Sequence, residues 1–253
     1  AHVDVLKLRG SWGQLGNTDT KDAWYPFYQT MPQGTDYNWL VNGKRPNYAS
    51  LPGIVSSLKT WETIETWDVG LDWGLFNNRL TGSFDYFVRW TYDMIGPAPE
   101  LSSVLGATPP KINNSDMKSY GFELELGWRD MIGDFSYGAK FTLADDQQKI
   151  TRYPNENNKL SEAYYPGMMK GEIWGYETVG IAQSQEEMDA HLAKVDQSSL
   201  GSKWGAGDIM YKDVDGDGVI STGDNTTEKP GDRVILGNNT PRFKYGITLD
   251  AAW

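Results

Sequence analysis

The sequence predicts an all-β fold: a portion of an antiparallel transmembrane β-barrel with about six strands, short periplasmic turns and long extracellular loops that carry a short helix and a calcium loop. Three observations predict it. Six stretches alternate apolar and polar residues with a period of two. Their polar faces carry charge while their apolar faces carry Trp and Tyr near strand ends, which suits a wet lumen and interfacial aromatic girdles. The connections alternate in length: "FNNR" and "RDMIGD" are tight turns, whereas 17–60, 94–116 and 145–241 are long.

The strands follow in chain order. In "VLKLRGSW", Leu6, Leu8 and Trp12 oppose Lys7, Arg9 and Ser11. In "TWDVGLDWGL", Trp67, Val69, Leu71, Trp73 and Leu75 share one face and Asp68 and Asp72 the other. "LTGSFDYFVRWTYD" sets Phe84, Tyr86, Val88, Trp90 and Tyr92 against Ser83, Asp85 and Arg89. "YGFELELGW" sets Tyr120, Phe122, Leu124, Leu126 and Trp128 against Glu123 and Glu125. Tyr137, Ala139, Phe141 and Leu143 oppose Ser136, Lys140 and Thr142 in "DFSYGAKFTLA". The last, "RFKYGITLDAAW", sets Phe243, Tyr245, Ile247 and Leu249 against Lys244, Thr248 and Asp250.

Composition narrows the function classes. The 253 residues include eleven Trp and no Cys, and the net charge is −11. That acidity argues against nucleic acid, which calls for clustered Lys and Arg. Without Cys, neither disulfides nor a Cys-based metal site holds the chain. No stretch reaches the ~20 apolar residues of a spanning helix, which leaves a barrel open because its strands need only about ten. No signal peptide is legible at "AHVDVLKLRG". Catalytic motifs are missing: no G-x-S-x-G elbow, H-E-x-x-H, phosphate loop or Cys nucleophile is found. Glu123 and Glu125 share a strand face as lumen lining rather than as a glycosidase pair. The chain reads as a non-enzyme.

Two features of the loops point to binding. In "DVDGDGVISTGD" (213–224), Asp213, Asp215 and Asp217 occupy positions 1, 3 and 5 of the calcium-loop pattern, Gly218 the sharp turn at 6, the Val219 carbonyl position 7 and Asp224 position 12. Oxygen donors at that spacing suit Ca²⁺, and no flanking EF-hand helices are expected, so the cation is read as a clamp. Loop aromatics Trp24, Tyr25, Tyr28, Trp39, Tyr164, Tyr165 and Trp174 are candidates for stacking on substrate, with packing on neighbouring loops as the alternative for each. "SQEEMDAHLAKV" reads as a short helix with Ser184 and Glu187 as its capping box, and His191 on its apolar stripe is expected to be packed rather than a ligand.

The runs "LKLRGSWGQLGN" (6–17), "SYGFELELGW" (119–128), "IGDFSYGAKFTLA" (132–144), "SQEEMDAH" (184–191) and "GDIMYKDVDGDGVISTGDNTTEKPGDRVILGNNTPRFKYGITLDAAW" (207–253) resemble, in this order, the C-terminal barrel part of SusC/RagA-type TonB-dependent outer-membrane transporters. The resemblance implies import of glycan fragments or peptides across the outer membrane of a Gram-negative bacterium. It also implies TonB and a SusD-like surface lipoprotein as partners, with membrane lipid around the wall. Such barrels have 22 strands around a plug, so residues 1–253 are expected to be a partial barrel without plug domain or signal peptide, with 145–241 its long extracellular loop. The alternative from another class is a secreted, calcium-stabilised carbohydrate-binding β module.

Overall fold

The computed structural model describes residues 3–18, 28–35, 38–56, 59–98, 102, 104, 106 and 109–253. All six expected strands are present and belong to one sheet. In chain order the elements are β1 (Val3–Asn17), β2 (Gln33–Thr35), β3 (Asn47–Ala49), β4 (Glu62–Leu75), β5 (Leu80–Gly96), β6 (Ile112–Ile132) and β7 (Phe135–Arg152). They are followed by β8 (Glu172–Tyr176), β9 (Thr178–Ile181), α1 (Gln185–Leu192), β10 (Ile209–Tyr211), β11 (Arg233–Asn238) and β12 (Phe243–Ala252). The large sheet is antiparallel with order β1-β4-β5-β6-β7-β12, and it is not closed. Three two-stranded ribbons, β2–β3, β8–β11 and β9–β10, lie in the connections.

Register turns the period-two pattern into two chemically distinct faces. Leu8, Leu71, Phe84, Leu124, Leu143 and Tyr245 are mutual partners in one row across all six strands. The next row reads Arg9, Gly70, Asp85, Glu123, Ala144 and Lys244. A one-residue slip on any strand would exchange its faces, so the alternation itself holds the register. The apolar face is open: Leu8 and Leu249 are each 76% exposed and Trp67 is 54% exposed. A soluble sandwich would bury that face against a second sheet; a barrel wall offers it to lipid.

The polar face is knitted by ion pairs between strands. The Arg9 guanidinium on β1 holds Asp72 on β4 through two bonds of 2.9 and 2.8 Å and reaches over β4 to Asp85 on β5 at 2.8 Å. Gly70 lies under that reach, and a Cβ there would stand 2.2 Å from the Asp85 carboxylate and 2.8 Å from the guanidinium carbon. Lys140–Glu125 and Lys244–Asp146 add pairs at 2.7 and 2.6 Å.

Both short turns form as expected. Phe76, Asn77 and Asn78 turn the chain with positive φ, and Gly133 (φ 62) opens the two-residue link between Ile132 and Phe135. The strands themselves run further than the alternation indicated. β7 continues to Arg152, so the excursion between β7 and β12 starts at 153 rather than 145, and β6 begins at Ile112 within the expected 94–116 connection. The polar runs "NNSDMKS" and "DDQQK" lie in these extensions, with Lys118 and Ser119 of the first opposite Lys149 and Gln148 of the second across β6 and β7. They lack an apolar face and so gave no period-two signal.

At about 3.3 Å per residue the 21 residues of β6 measure roughly 70 Å, far more than a tilted strand needs to cross a bilayer. The main buried cluster lies outside the sheet, in the excursion: Met188, Ala182 and Met210, with Leu192 and Trp204 against them.

Candidate metal centre and loop aromatics

The excursion is organised by local hydrogen bonding before any packing. Ser184 caps α1 by accepting from the Glu187 N–H at 3.2 Å, while the Glu187 carboxylate accepts from the Gln183 N–H at 2.7 Å, a variant of the expected box. Met188 on the first turn is fully buried. His191 is a packing histidine, as expected: its Nε2 lies 3.2 Å from the side-chain oxygen of the fully buried Gln197. The Gln197 amide donates to the Ile209 carbonyl at 3.1 Å, and its oxygen accepts from the Tyr211 N–H at 3.2 Å, which ties α1 to β10.

The acidic loop follows β10 directly. Asp213 accepts from the N–H groups of Gly216 (2.6 Å) and Gly218 (2.8 Å), and Gly218 takes φ 82 as the sharp turn requires. Val219 forms a parallel bridge with Asp196, which anchors the far side of the loop to the chain after α1. The Ser198 N–H donates to the Asp196 carboxylate and holds it below the ordinary aspartate range.

Three carboxylates converge here: Asp213, Asp215 and Asp232 present oxygens within 4.8 Å of one another. Asp217 turns aside to accept from the Val219 N–H at 2.7 Å. Asp224 is also elsewhere, on the surface with its carboxylate 3.3 Å from Lys229.

Backbone geometry explains why Asp232 stands where Asp224 was expected. Gly223 (φ 53) and Gly231 (φ 63) touch so closely that a Cβ on Gly223 would lie 2.6 Å from the Gly231 nitrogen, and one on Gly231 would lie 2.5 Å from the Gly223 nitrogen. Residues 222–231 therefore leave and rejoin the chain at one point, and the side loop rests on 158–160 through the Leu160 N–H to Asn225 and the Thr227 N–H to Asn158. The Asp232 N–H then donates to the Ser221 carbonyl at 3.1 Å. The Asp232 carboxylate, fully buried, accepts from Ser221 (2.8 Å) and Val214 (2.7 Å). Counting twelve residues along the chain cannot see that fold-back; the only signal in the sequence is the pair of glycines bracketing a polar insertion.

The aromatic candidates among the described residues do not form one surface. Trp24 and Tyr25 lie outside the described residues. Tyr28 and Trp39 are exposed in the segment around β2 and β3. Tyr165 is buried; its hydroxyl donates to Glu172 and accepts from the Trp174 indole at 3.3 Å. Burial first, and the Glu172 carboxylate second, push the Tyr165 phenol up to about 12. Tyr164 packs edge-on against Tyr153 with ring centroids 5.4 Å apart. Tyr164, Tyr165 and Trp174 are thus each in contact with other residues of the excursion.

An antiparallel wall with one lipid-suited face, one charged face, tight turns at one end and a large excursion at the other defines a piece of a large membrane β-barrel. Comparison with known proteins names the family: residues 3–231 match the model described as TonB dependent receptor-like, beta-barrel, and the chain belongs to that family. TonB-dependent receptor P3 of Formosa agariphila is 26% identical over 261 aligned positions that cover 98% of this chain and 24% of the relative. TonB-dependent receptor SusC of Bacteroides thetaiotaomicron is 23% identical, covering 98% and 25%. The RagAB peptide importer in its open-open state superposes with a TM-score of 0.69 at 20% identity, over 99% of this chain and 25% of that one. The chain spans about a quarter of the length of these relatives. Nothing in the fold favours the secreted binding module, whose core would need the open apolar face to be covered.

Proposed function

We propose that the chain forms part of the wall and outer loops of a TonB-dependent importer in the outer membrane of a Gram-negative bacterium, taking up glycan fragments or peptides together with a SusD-like surface lipoprotein. The observation that carries this reading is the two-faced sheet, apolar on one side and ion-paired on the other, in a chain of this family. The relatives add direction, since one is named SusC and a structural neighbour is a peptide importer.

Calcium is the second part of the proposal. The donor set fits a hard cation: three carboxylates whose oxygens lie close enough to share one ion at the 2.3–2.6 Å usual for calcium. Asp213, Asp215 and Asp232 would hold it. The ion would join the start of the acidic loop to the start of β11 and so reduce the freedom of a 90-residue excursion between β7 and β12.

An affinity tag on the gene product in its own bacterium tests the first part. The tagged protein should fractionate with the outer membrane and bring down a surface lipoprotein, and deletion of the gene should abolish growth on one class of glycan or peptide. Recovery only from soluble fractions, with growth unchanged on every class, would overturn the reading. For calcium, the Asp215→Ala, Asp232→Ala pair should lose calcium affinity and calcium-dependent protease resistance; unchanged values in both would refute the site.

A further inference from the structure

On the apolar face, β6 and β7 change character towards the excursion. Below lie Leu126 opposite Phe141 and Leu124 opposite Leu143; then come Phe122 opposite Asp145, which Arg242 neutralises, Tyr120 opposite Gln147, Lys118 opposite Lys149 and Asp116 opposite Arg152. Two lysines directly opposite on adjacent antiparallel strands point to the same side and repel one another. Among the described residues neither ammonium has an ion-pair partner. Lys118 lies instead over two aromatic rings, 4.8 Å from the centroid of Trp90 and 5.5 Å from that of Tyr120, and Trp90 stacks on Tyr92.

The acids near this pair are already engaged. Arg152 binds Asp116 and Asp93, Arg242 binds Asp145, Glu172 accepts from Tyr165 and from the Met169 N–H, and Glu65 accepts from the Trp12 and Trp67 indoles. Ten residues separate Lys118 from Trp128 near the opposite end of β6, roughly 33 Å along the strand and about 25 Å across a bilayer at 40° tilt. That height matches the apolar band of a membrane barrel and puts both lysines at the level of lipid headgroups, just beyond the aromatic girdle.

We propose that Lys118 and Lys149 form a binding site for the phosphate of a membrane lipid, seated on the barrel exterior at the excursion side. The phosphate relieves the repulsion between the two ammonium groups, Trp90 and Tyr92 flank the interfacial part of the lipid, and its acyl chains continue down the row of Tyr120, Phe122 and Leu124. Lipid identity at this point is read by charge, and the site is separate from the polar face and from the acidic loop.

Native mass spectrometry on the intact gene product, extracted in neutral detergent and titrated with dioleoyl phosphatidic acid or dioleoyl phosphatidylcholine, tests this. The phosphatidic acid adduct should form preferentially and weaken about thirty-fold in Lys118→Gln/Lys149→Gln, the combined effect of two lysines near an anionic headgroup. It should survive in Lys118→Arg/Lys149→Arg, which keeps both charges. The control Lys140→Gln/Lys244→Gln, on the polar face, should leave it unchanged. Equal retention in the Gln pair, loss in the Arg pair, or displacement of the adduct by millimolar inorganic phosphate would each overturn the proposal.

Discussion

Replacing Asp232 by Ala separates the geometry of the acidic loop from the spacing of its sequence. The Asp232 carboxylate is fully buried and accepts from two backbone N–H groups, Val214 at 2.7 Å and Ser221 at 2.8 Å. Hydrogen bonds to a charged group contribute roughly 1.5–3 kcal/mol each, and truncation leaves both donors without an acceptor, so Asp232→Ala should destabilise the loop by about 3–5 kcal/mol. Asp224→Ala removes only a surface pair with Lys229, in which both side chains are largely exposed, and should cost at most about 0.5 kcal/mol. Amide hydrogen exchange at Val214 and Ser221 reads the difference directly. Their protection should collapse in Asp232→Ala and persist in Asp224→Ala, with chelator present as well as with calcium, because the hydrogen bonds do not require the ion. Equal loss in the two variants, or full protection in Asp232→Ala, would refute the fold-back argument.

Three further perturbations probe other parts of the molecule. Gly70→Ala should displace the Arg9–Asp85 bridge and lower resistance of the barrel to denaturant by about 1 kcal/mol; in an Asp85→Ala background the same substitution should cost markedly less, and simple additivity would argue against the contact. Met188→Ala, at a fully buried site in the small cluster with Ala182 and Met210, should cost about 3 kcal/mol locally. It should speed exchange across α1 and β10 while leaving β4–β7 protected. Absorbance titration of phenolate should show a step near pH 12 that is lost in Tyr165→Phe. Because that phenol is raised above its ordinary value near 10, its contribution is complete below pH 10 and declines as pH climbs through 12, where the packing around Glu172 and Trp174 should loosen.

The sheet was legible wherever one face had to be apolar. All six strands carry an alternation that only one register satisfies, and Trp and Tyr mark the ends of the apolar band. Above that band both faces are wet, so nothing in "NNSDMKS" or "DDQQK" distinguishes paired strand from loop, and the strands outran their expected ends. The helix was legible because Ser184 and Glu187 cap it through local bonds that sequence spacing encodes. The acidic loop was legible in its first half, where Asp213, Asp215 and Gly218 act within six residues. Its second half depends on contact between Gly223 and Gly231, a long-range closure that puts Asp232 beside Ser221. The aromatic set was a matter of composition, and composition does not say which rings face inward: Tyr165 and Trp174 are neighbours in a hydrogen-bonded cluster, while Tyr28 and Trp39 are exposed far from them in sequence.

The reach of Arg9 across Gly70 bears on how cargo would meet the wall. A long cation that stood upright would narrow the passage and favour anions; laid flat over a residue with no side chain, it is answered by Asp72 and Asp85 on either side. Lys140 and Lys244 lie against acids on neighbouring strands in the same way. On this face the cations thus lie low against the sheet, each held by acids of neighbouring strands, so the charged lining is thin rather than bristling.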